Sequence, residues 1–178
     1  MSKIFYISDP HFYHKKIIEK CNRPFSDVYE MNEAIIQNWK NTVKDEDKIY
    51  IAGDLGLYHA QDITNILNDL PGKKFLITGN HDLRNLEYRP LRQCFEKISF
   101  YEDIKDKDRR VVICHYPFEE WNGFYRDVYH IHGHVHKSPN GVALKELKNR
   151  FNVNVEFTGY KPVTLDELLQ KTDEKEKE

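Results

Sequence analysis

The sequence predicts an α/β domain with a parallel first half and a mostly antiparallel second half. Three observations carry that expectation. Strand-like and helix-like segments alternate as β-α-β-α-β between Lys3 and Thr78, which implies parallel strands joined by right-handed crossovers. Beyond residue 97, four strand-like segments follow with little helix between them. Five of the strands stop at Asp, Asn or His, and α/β folds build their sites from polar residues just past buried strand ends.

Taken in order, Lys3–Ser8 is a strand by its β-branched and aromatic content. From about Asp27 to Val43, the residues Met31, Ile35, Ile36, Trp39 and Val43 follow helical spacing. Asp27 and Glu30, three apart, resemble a capping box at its start. Strand Lys48–Ala52 follows. A helix carrying Ala60, Ile63, Leu67 and Leu70 is then stopped by Pro71-Gly72. Strand Lys74–Thr78 completes the alternating run, and a short helix is expected around Arg89–Phe95. The later strands are Ile98–Tyr101, Arg110–Cys114, Val128–His132 and Asn152–Phe157. In the last, Val153, Val155 and Phe157 alternate with polar residues, so one face is expected to meet water. Thr164 with Glu167 caps a final helix carrying Leu165, Leu168 and Leu169. One domain over 1–171 and a charged, solvated, disordered tail over 172–178 account for the chain.

At 178 residues the chain suits one domain with its own core. Outside the tail it has 25 acidic and 25 basic residues, so no global field draws in a long polyanion. A small or locally bound substrate fits better than a long duplex. Cys21, Cys94 and Cys114 are odd in number and lack zinc-finger spacing, which suits buried or idle thiols in a reducing compartment. No apolar stretch reaches membrane-spanning length, and Met1-Ser2-Lys3 leads straight into a strand rather than a signal peptide. The expected setting is cytoplasmic, without membrane contact or an obligate protein partner.

The strand ends carry the chemistry. Asp9, His11, Asp54, Asn80, His115, His134 and His136 offer oxygen and imidazole ligands with no thiolate among them. That mixture suits Mn, Fe, Zn or Ni better than calcium or a structural zinc. It is too large for one four-coordinate ion and suits two divalent ions about 3.5–4 Å apart, bridged by a carboxylate and a water.

Asp9-x-His11, Gly53-Asp54, Gly79-Asn80-His81-Asp82, His115 and Gly133-His134-x-His136 resemble, in that order, the motifs of the calcineurin-like metallophosphoesterase superfamily. The resemblance implies a two-sheet αββα sandwich flanked by helices. It implies one metal held by Asp9, His11 and His136, another by Asn80, His115 and His134, and Asp54 bridging both. His81 matches the catalytic histidine, and Asp82 matches the acid that orients it. The activity implied is a phosphoric ester hydrolase, with manganese favoured and Fe, Zn or Ni also accepted. A hydroxide bridging the metals would attack phosphorus in line, with His81 assisting the leaving group.

Asp9-Pro10-His11-Phe12-Tyr13-His14, Cys21-Asn22-Arg23-Pro24-Phe25, Asn38-Trp39 and the stretch Pro162–Glu167 are similar to a small subgroup of bacterial and phage phosphoesterases. That narrower likeness implies that His14 and Arg23 line the site and touch substrate phosphate. The residues themselves leave His14 open between a substrate contact and a packing role. With only 32 residues between Asp82 and His115, no large capping domain is expected. An open site favours phosphodiesters of nucleotide or nucleic-acid type, including nucleic-acid ends. The alternatives are a phosphomonoesterase of small substrates and a non-catalytic scaffold of the same fold.

Several tempting residues are read as ordinary. His130 and His132 share an every-second-residue ladder with His134 and His136, but Gly133 is expected to break the strand and leave the first two structural. His59 is read as a surface residue, Arg84, Arg89, Arg92, Arg109 and Arg110 as solvated, and Trp121 and Tyr125 as packed aromatics.

Overall fold

The computed structural model describes residues 2–138 and 144–175. In chain order the elements are β1 (Ile4–Ile7), α1 (Lys15–Cys21), α2 (Val28–Thr42), β2 (Lys48–Ile51), α3 (Ala60–Asp69), β3 (Lys73–Ile77), α4 (Asp82–Asn85), α5 (Arg89–Arg92), β4 (Lys97–Ser99), β5 (Tyr101–Asp106), β6 (Arg109–Cys114), β7 (Tyr129–His132), β8 (Arg150–Asn152), α6 (Val155–Thr158) and α7 (Leu165–Lys175). They form two four-stranded sheets, β1-β2-β3-β4 and β5-β6-β7-β8, with flanking helices.

The first sheet is parallel throughout. Period-two alternation splits its side chains between two layers. Phe5, Ile7, Ile49, Ile51 and Leu76 pack with Ile17, Met31, Ile35, Trp39, Ile63 and Leu67 of α1, α2 and α3. Tyr6, Tyr50, Ala52 and Ile77 point the other way and meet Val111, Ile113, Ile131 and Phe151 of the second sheet. Trp39 is wholly buried, and burying a large apolar side chain contributes about 1.5–3 kcal/mol. The outer face of the second sheet is covered by Trp121 and Val128 on Val112, with Phe118, Phe124 and Leu147 beside them.

The second sheet departs from the antiparallel expectation. Only β5 and β6 run antiparallel, and β6-β7 and β7-β8 are parallel pairs. The expected strand Ile98–Tyr101 belongs to two strands in different sheets, because the chain crosses from one sheet to the other at Phe100. β5 itself, Tyr-Glu-Asp-Ile-Lys-Asp, was not expected because its outward residues are polar. Helix α1 was also missed, and only Ile17 and Cys21 of its seven residues are buried.

The clearest correction concerns 152–157. Only Asn152 of that span lies in a strand, and Val155–Thr158 is one helical turn. The Asn154 side chain caps it by accepting from Glu156 N at 3.0 Å, and Gly159 ends it with a left-handed φ of 71°. Val153 and Val155 are buried while Phe157 is exposed, so no wet strand face exists there.

The helix caps fall near their expected places. Asp27 accepts from Tyr29 N and Glu30 N at 2.8 and 2.9 Å. Glu30 bonds back to Ser26 N at 2.7 Å, one residue before the expected position. Thr164 and Glu167 form the reciprocal box, at 2.7 Å from Thr164 N and 3.3 Å from Glu167 N. Helix α7 continues to Lys175, into the stretch expected as a tail from Thr172, and residues 176–178 lie outside the described residues. Among the described residues, no helix is long and apolar enough to cross a membrane.

Candidate metal centre

Five loops converge at one edge of the sandwich. They follow β1, β2 and β3 of the first sheet and β6 and β7 of the second, and they bring Asp9, His11, Asp54, Asn80, His115, His134 and His136 together. The backbone bends sharply to present them. Asp9, His11, Asp54 and His134 take φ values of 55°, 52°, 57° and 67°. Left-handed non-glycine residues cost about 1–3 kcal/mol each and cluster where the surroundings over-determine them for function.

Two glycines allow the close approach. A Cβ on Gly79 would run into the Asp54 carboxylate, and one on Gly133 into the Ser8 hydroxyl and the Asp9 carboxylate. Neither position accepts a side chain without moving a carboxylate of the cluster.

The donor atoms fall into two overlapping groups. Asp9, His11 and His136 converge within 4.8 Å of one another, and so do Asp9, Asp54 and His115. In the first, His136 Nε2 lies 3.4 Å and His11 Nε2 3.7 Å from Asp9 Oδ1, and the two ring nitrogens are 3.3 Å apart. In the second, His115 Nε2 is 3.6 Å from Asp54 Oδ2 and 3.1 Å from Asn80 Oδ1. His134 Nδ1 completes it, 3.1 Å from Asn80 Oδ1 and 3.2 Å from His115 Nε2. Asp54 Oδ2 also lies 3.7 Å from His11 Nε2, so this one carboxylate faces both groups.

Partners on the far side of the rings fix their orientation. His115 Nδ1 donates to Ala52 O at 2.8 Å, which leaves Nε2 free to ligate. His136 Nδ1 lies 2.7 Å from Glu156 Oε1 and His11 Nδ1 lies 3.2 Å from His14 Nδ1. Asp9 Oδ2 accepts from His134 N at 3.0 Å and from the Ser8 hydroxyl. Its Oδ1 is buried and has no hydrogen-bond partner among the described residues. An unsatisfied buried carboxylate oxygen facing two imidazoles is costly by itself and suits a cation, so the residues fit the expected divalent metal.

The titration behaviour follows from this crowding. Burial raises the Asp9 carboxyl, but the neighbouring rings of His136, His11 and His115 outweigh it and hold it at about 2. Burial lowers His136, yet Asp9, Cys21 and Glu156 together push it up to about 11. Burial also drives His11 well below its ordinary value and, with the nearby Asp9 charge, raises Asp54.

His81 stands at the open rim, its Nε2 3.9 Å from Asp54 Oδ2 and its side chain 36% exposed. Its backbone N–H donates to Asp54 Oδ1 at 3.0 Å. Asp82 does not do what the resemblance implied. Its carboxylate accepts from the amides of Gly79, Asp54 and Leu55 at 2.7, 2.9 and 2.9 Å, so it pins the ligand loops rather than the His81 ring. Burial, against those amide bonds, raises it to about 6.

Arg23 is the second correction. It is buried, and its guanidinium donates to Glu156 Oε1 at 2.9 Å, Pro10 O at 3.0 Å, Asp9 O at 2.9 Å and Met31 Sδ at 3.3 Å. Four of its five N–H groups are thereby taken inside the protein, which leaves no two-pronged fork for a substrate phosphate. His14 is half-buried, with its ring centroid 5.1 Å from His11 and 6.1 Å from His81, so it belongs to the site wall.

Sequence reasoning missed Glu156 because it read Val153–Phe157 as an alternating strand. Asn154 and Gly159, the two caps of α6, were the available signal. It also missed Tyr116, 45% exposed, whose ring packs edge-on against His115 and His134 at 5.1 and 4.8 Å. The three cysteines are free, as expected, but Cys21 lies beside His136 and Glu156 rather than away from the site.

The chain is similar to known proteins in both sequence and structure. The chain is 38% identical over 172 residues to the uncharacterized protein MJ1445 of Methanocaldococcus jannaschii, covering 96% of this chain and 91% of that one. It is 28% identical over 163 residues to the gene 66 protein of Mycobacterium phage D29, covering 76% of this chain and 79% of that one. Among solved structures, the Aquifex aeolicus protein AQ665 superposes with a TM-score of 0.77 at 30% identity, over 94% of this chain and 98% of that chain. The family model described as calcineurin-like phosphoesterase matches residues 2–176, and the chain belongs to that family.

Proposed function

We propose that this phosphoesterase is a dimetal enzyme that hydrolyses phosphodiesters of nucleotide or nucleic-acid type. Asp9, His11 and His136 hold one divalent ion and Asn80, His115 and His134 the other, with Asp54 shared. The observation that carries the reading is the Asp54 carboxylate, whose Oδ2 lies 3.6–3.7 Å from a histidine of each group. Manganese is the ion assigned first, with Fe, Zn or Ni able to replace it. Such ions, when bound, lower the pKa of a water and offset charge on phosphoryl oxygens.

The chain's own residues do the rest. His81 Nε2 stands on the exposed side of Asp54, where it can donate a hydrogen bond or proton to the leaving oxygen, a contribution of about 10²–10⁴-fold. Asp82 positions Asp54 and Gly79 through their amides. His14 orients His11, and Arg23 holds the Asp9-Pro10 backbone. Asn80 and His134 are exposed, which supports an open mouth that admits a substrate esterified on both sides. Three free cysteines fit a reducing, cytoplasmic setting.

The test compares a chromogenic phosphodiester with its monoester in Mn, Ni and Zn. Faster metal-dependent turnover of the diester is expected. A preference for the monoester would make the chain a phosphomonoesterase. No turnover with any of the ions would favour the scaffold reading.

A further inference from the structure

We propose that Glu156, anchored by Arg23, is a positioning residue that sets the affinity of one metal of the pair by orienting and polarising His136. The inference rests on the dimetal reading above and assigns a role to two residues outside its ligand set.

The physical case begins with burial. Glu156 and Arg23 are 7% and 4% exposed, and Arg23 Nε donates to Glu156 Oε1 at 2.9 Å. A buried ion pair is weak evidence for stability, because desolvation offsets most of the attraction. Its retention is better explained by what the pair touches. Glu156 Oε1 also accepts from His136 Nδ1 at 2.7 Å, which turns His136 Nε2 toward Asp9 Oδ1. Glu156 Oε2 accepts from Lys137 N at 2.7 Å and fixes the backbone just past the ligand. On its other side Arg23 donates to the carbonyls of Asp9 and Pro10.

One charged pair therefore spans both halves of a single ligand set. Asp9 and His11 arrive from the end of β1 and His136 from the loop after β7, more than a hundred residues later in the chain. The second ligand set has a different arrangement, since His115 rests on the neutral carbonyl of Ala52. A carboxylate behind an imidazole raises its basicity more than a carbonyl does. The asymmetry predicts that Glu156 acts on one ion and not on the other. The one-turn helix α6, with Asn154 and Gly159 as caps, presents the carboxylate at this angle.

The experiment is calorimetric titration of the metal-stripped full chain with manganese, using wild type, Glu156→Gln and the double variant Arg23→Met/Glu156→Gln. Outer partners of this kind are worth about 10–100-fold in metal affinity. Glu156→Gln should weaken one of the two binding steps by that factor and leave the other within about twofold. The double variant removes both buried charges, so it avoids an unpaired arginine and should show the same selective loss. In the zinc-loaded protein, the downfield proton resonance of His136 Nδ1–H should shift upfield in Glu156→Gln.

Equal weakening of both steps together with a lower melting temperature of the metal-free chain would mean a purely structural pair and overturn the proposal. Two ions bound by Glu156→Gln with unchanged affinities would overturn it while leaving the dimetal reading intact. A wild type that binds no ion would overturn both.

Discussion

The two halves of one histidine ladder behave in opposite ways. His130 and His132 lie in β7, and His134 and His136 continue the same every-second-residue spacing past Gly133. His130 donates from Nδ1 to Val112 O at 3.2 Å, accepts from Phe118 N at 3.1 Å and stacks on the Phe118 ring. His132 donates to Gly133 O at 2.8 Å. Burial holds both far below the ordinary imidazole value, at about 4 and about 3. His136 faces Asp9 and Glu156 and is pushed up to about 11 despite its own burial. Residue type and spacing are identical across the ladder. What sets His136 apart from His130 and His132 is a carboxylate behind the ring in place of a backbone carbonyl. His134, lowered by burial like the first two, differs from them in facing Asn80 and His115.

The strongest way to break the contrast is to remove the carboxylate that faces both candidate ligand groups. Asp54→Asn should reduce metal-dependent turnover to near background and lower the bound metal below two ions per chain, because it removes the bridging charge. Two ions retained by elemental analysis would show that Asp54 is not the bridge. His81→Ala is the milder counterpart. It should cost about 10²–10⁴-fold in kcat with metal content unchanged, since the role proposed for His81 is to serve the leaving group rather than an ion. Loss of metal in that variant would move His81 into the ligand set.

Gly133 divides the ladder, so Gly133→Ala tests the boundary itself. The added methyl would run into Ser8 and the Asp9 carboxylate. Overpacking of this kind typically costs about 1–3 kcal/mol, and displacement of Asp9 should also weaken metal binding. Urea unfolding and metal titration of the variant measure both. Unchanged values in each would mean that the loop after β7 stands far enough from Ser8 and Asp9 to accept a methyl group.

Much of the candidate site could be read in the chain because each of its five clusters follows an apolar run, and Asp54, Asn80 and His134 each follow a glycine. Asp9, His11, Asp54, Asn80, His115, His134 and His136 do meet at one edge, on the loops where those runs end. The first sheet was legible for a related reason, since strands buried on both faces are apolar throughout. What escaped notice depends on long-range context. β5 is polar on its outward face and is recognisable only once β6 pairs with it. Glu156 looked like the wet side of a strand, because alternation in Val153–Phe157 competes with a helix of one turn. Arg23 looked like a phosphate contact, and nothing local reveals that Asp9, Pro10 and Glu156 each take one of its donors. An arginine's partners are a property of the fold rather than of its neighbours in sequence.

The smallest effect tests the quiet half of the ladder. His130 is neutral in the folded chain to about pH 4, whereas an unfolded histidine takes up its proton near pH 6.5. The unfolded state therefore binds more protons between these values, and stability must fall as the pH drops through 6.5. Between pH 7 and pH 5 this one residue should remove about 2 kcal/mol, at about 1.4 kcal/mol per pH unit below 6.5. His130→Gln keeps a donor for Val112 O and an acceptor for Phe118 N but has no proton to gain. Its urea unfolding free energy should be lower than wild type at pH 7 and should decline less steeply on acidification. The difference in decline between the two proteins isolates His130, because His132 and the metal ligands titrate in both. Parallel declines would mean that His130 is charged in the folded chain, and the contrast with His136 would then lie in exposure rather than in the partner each ring faces.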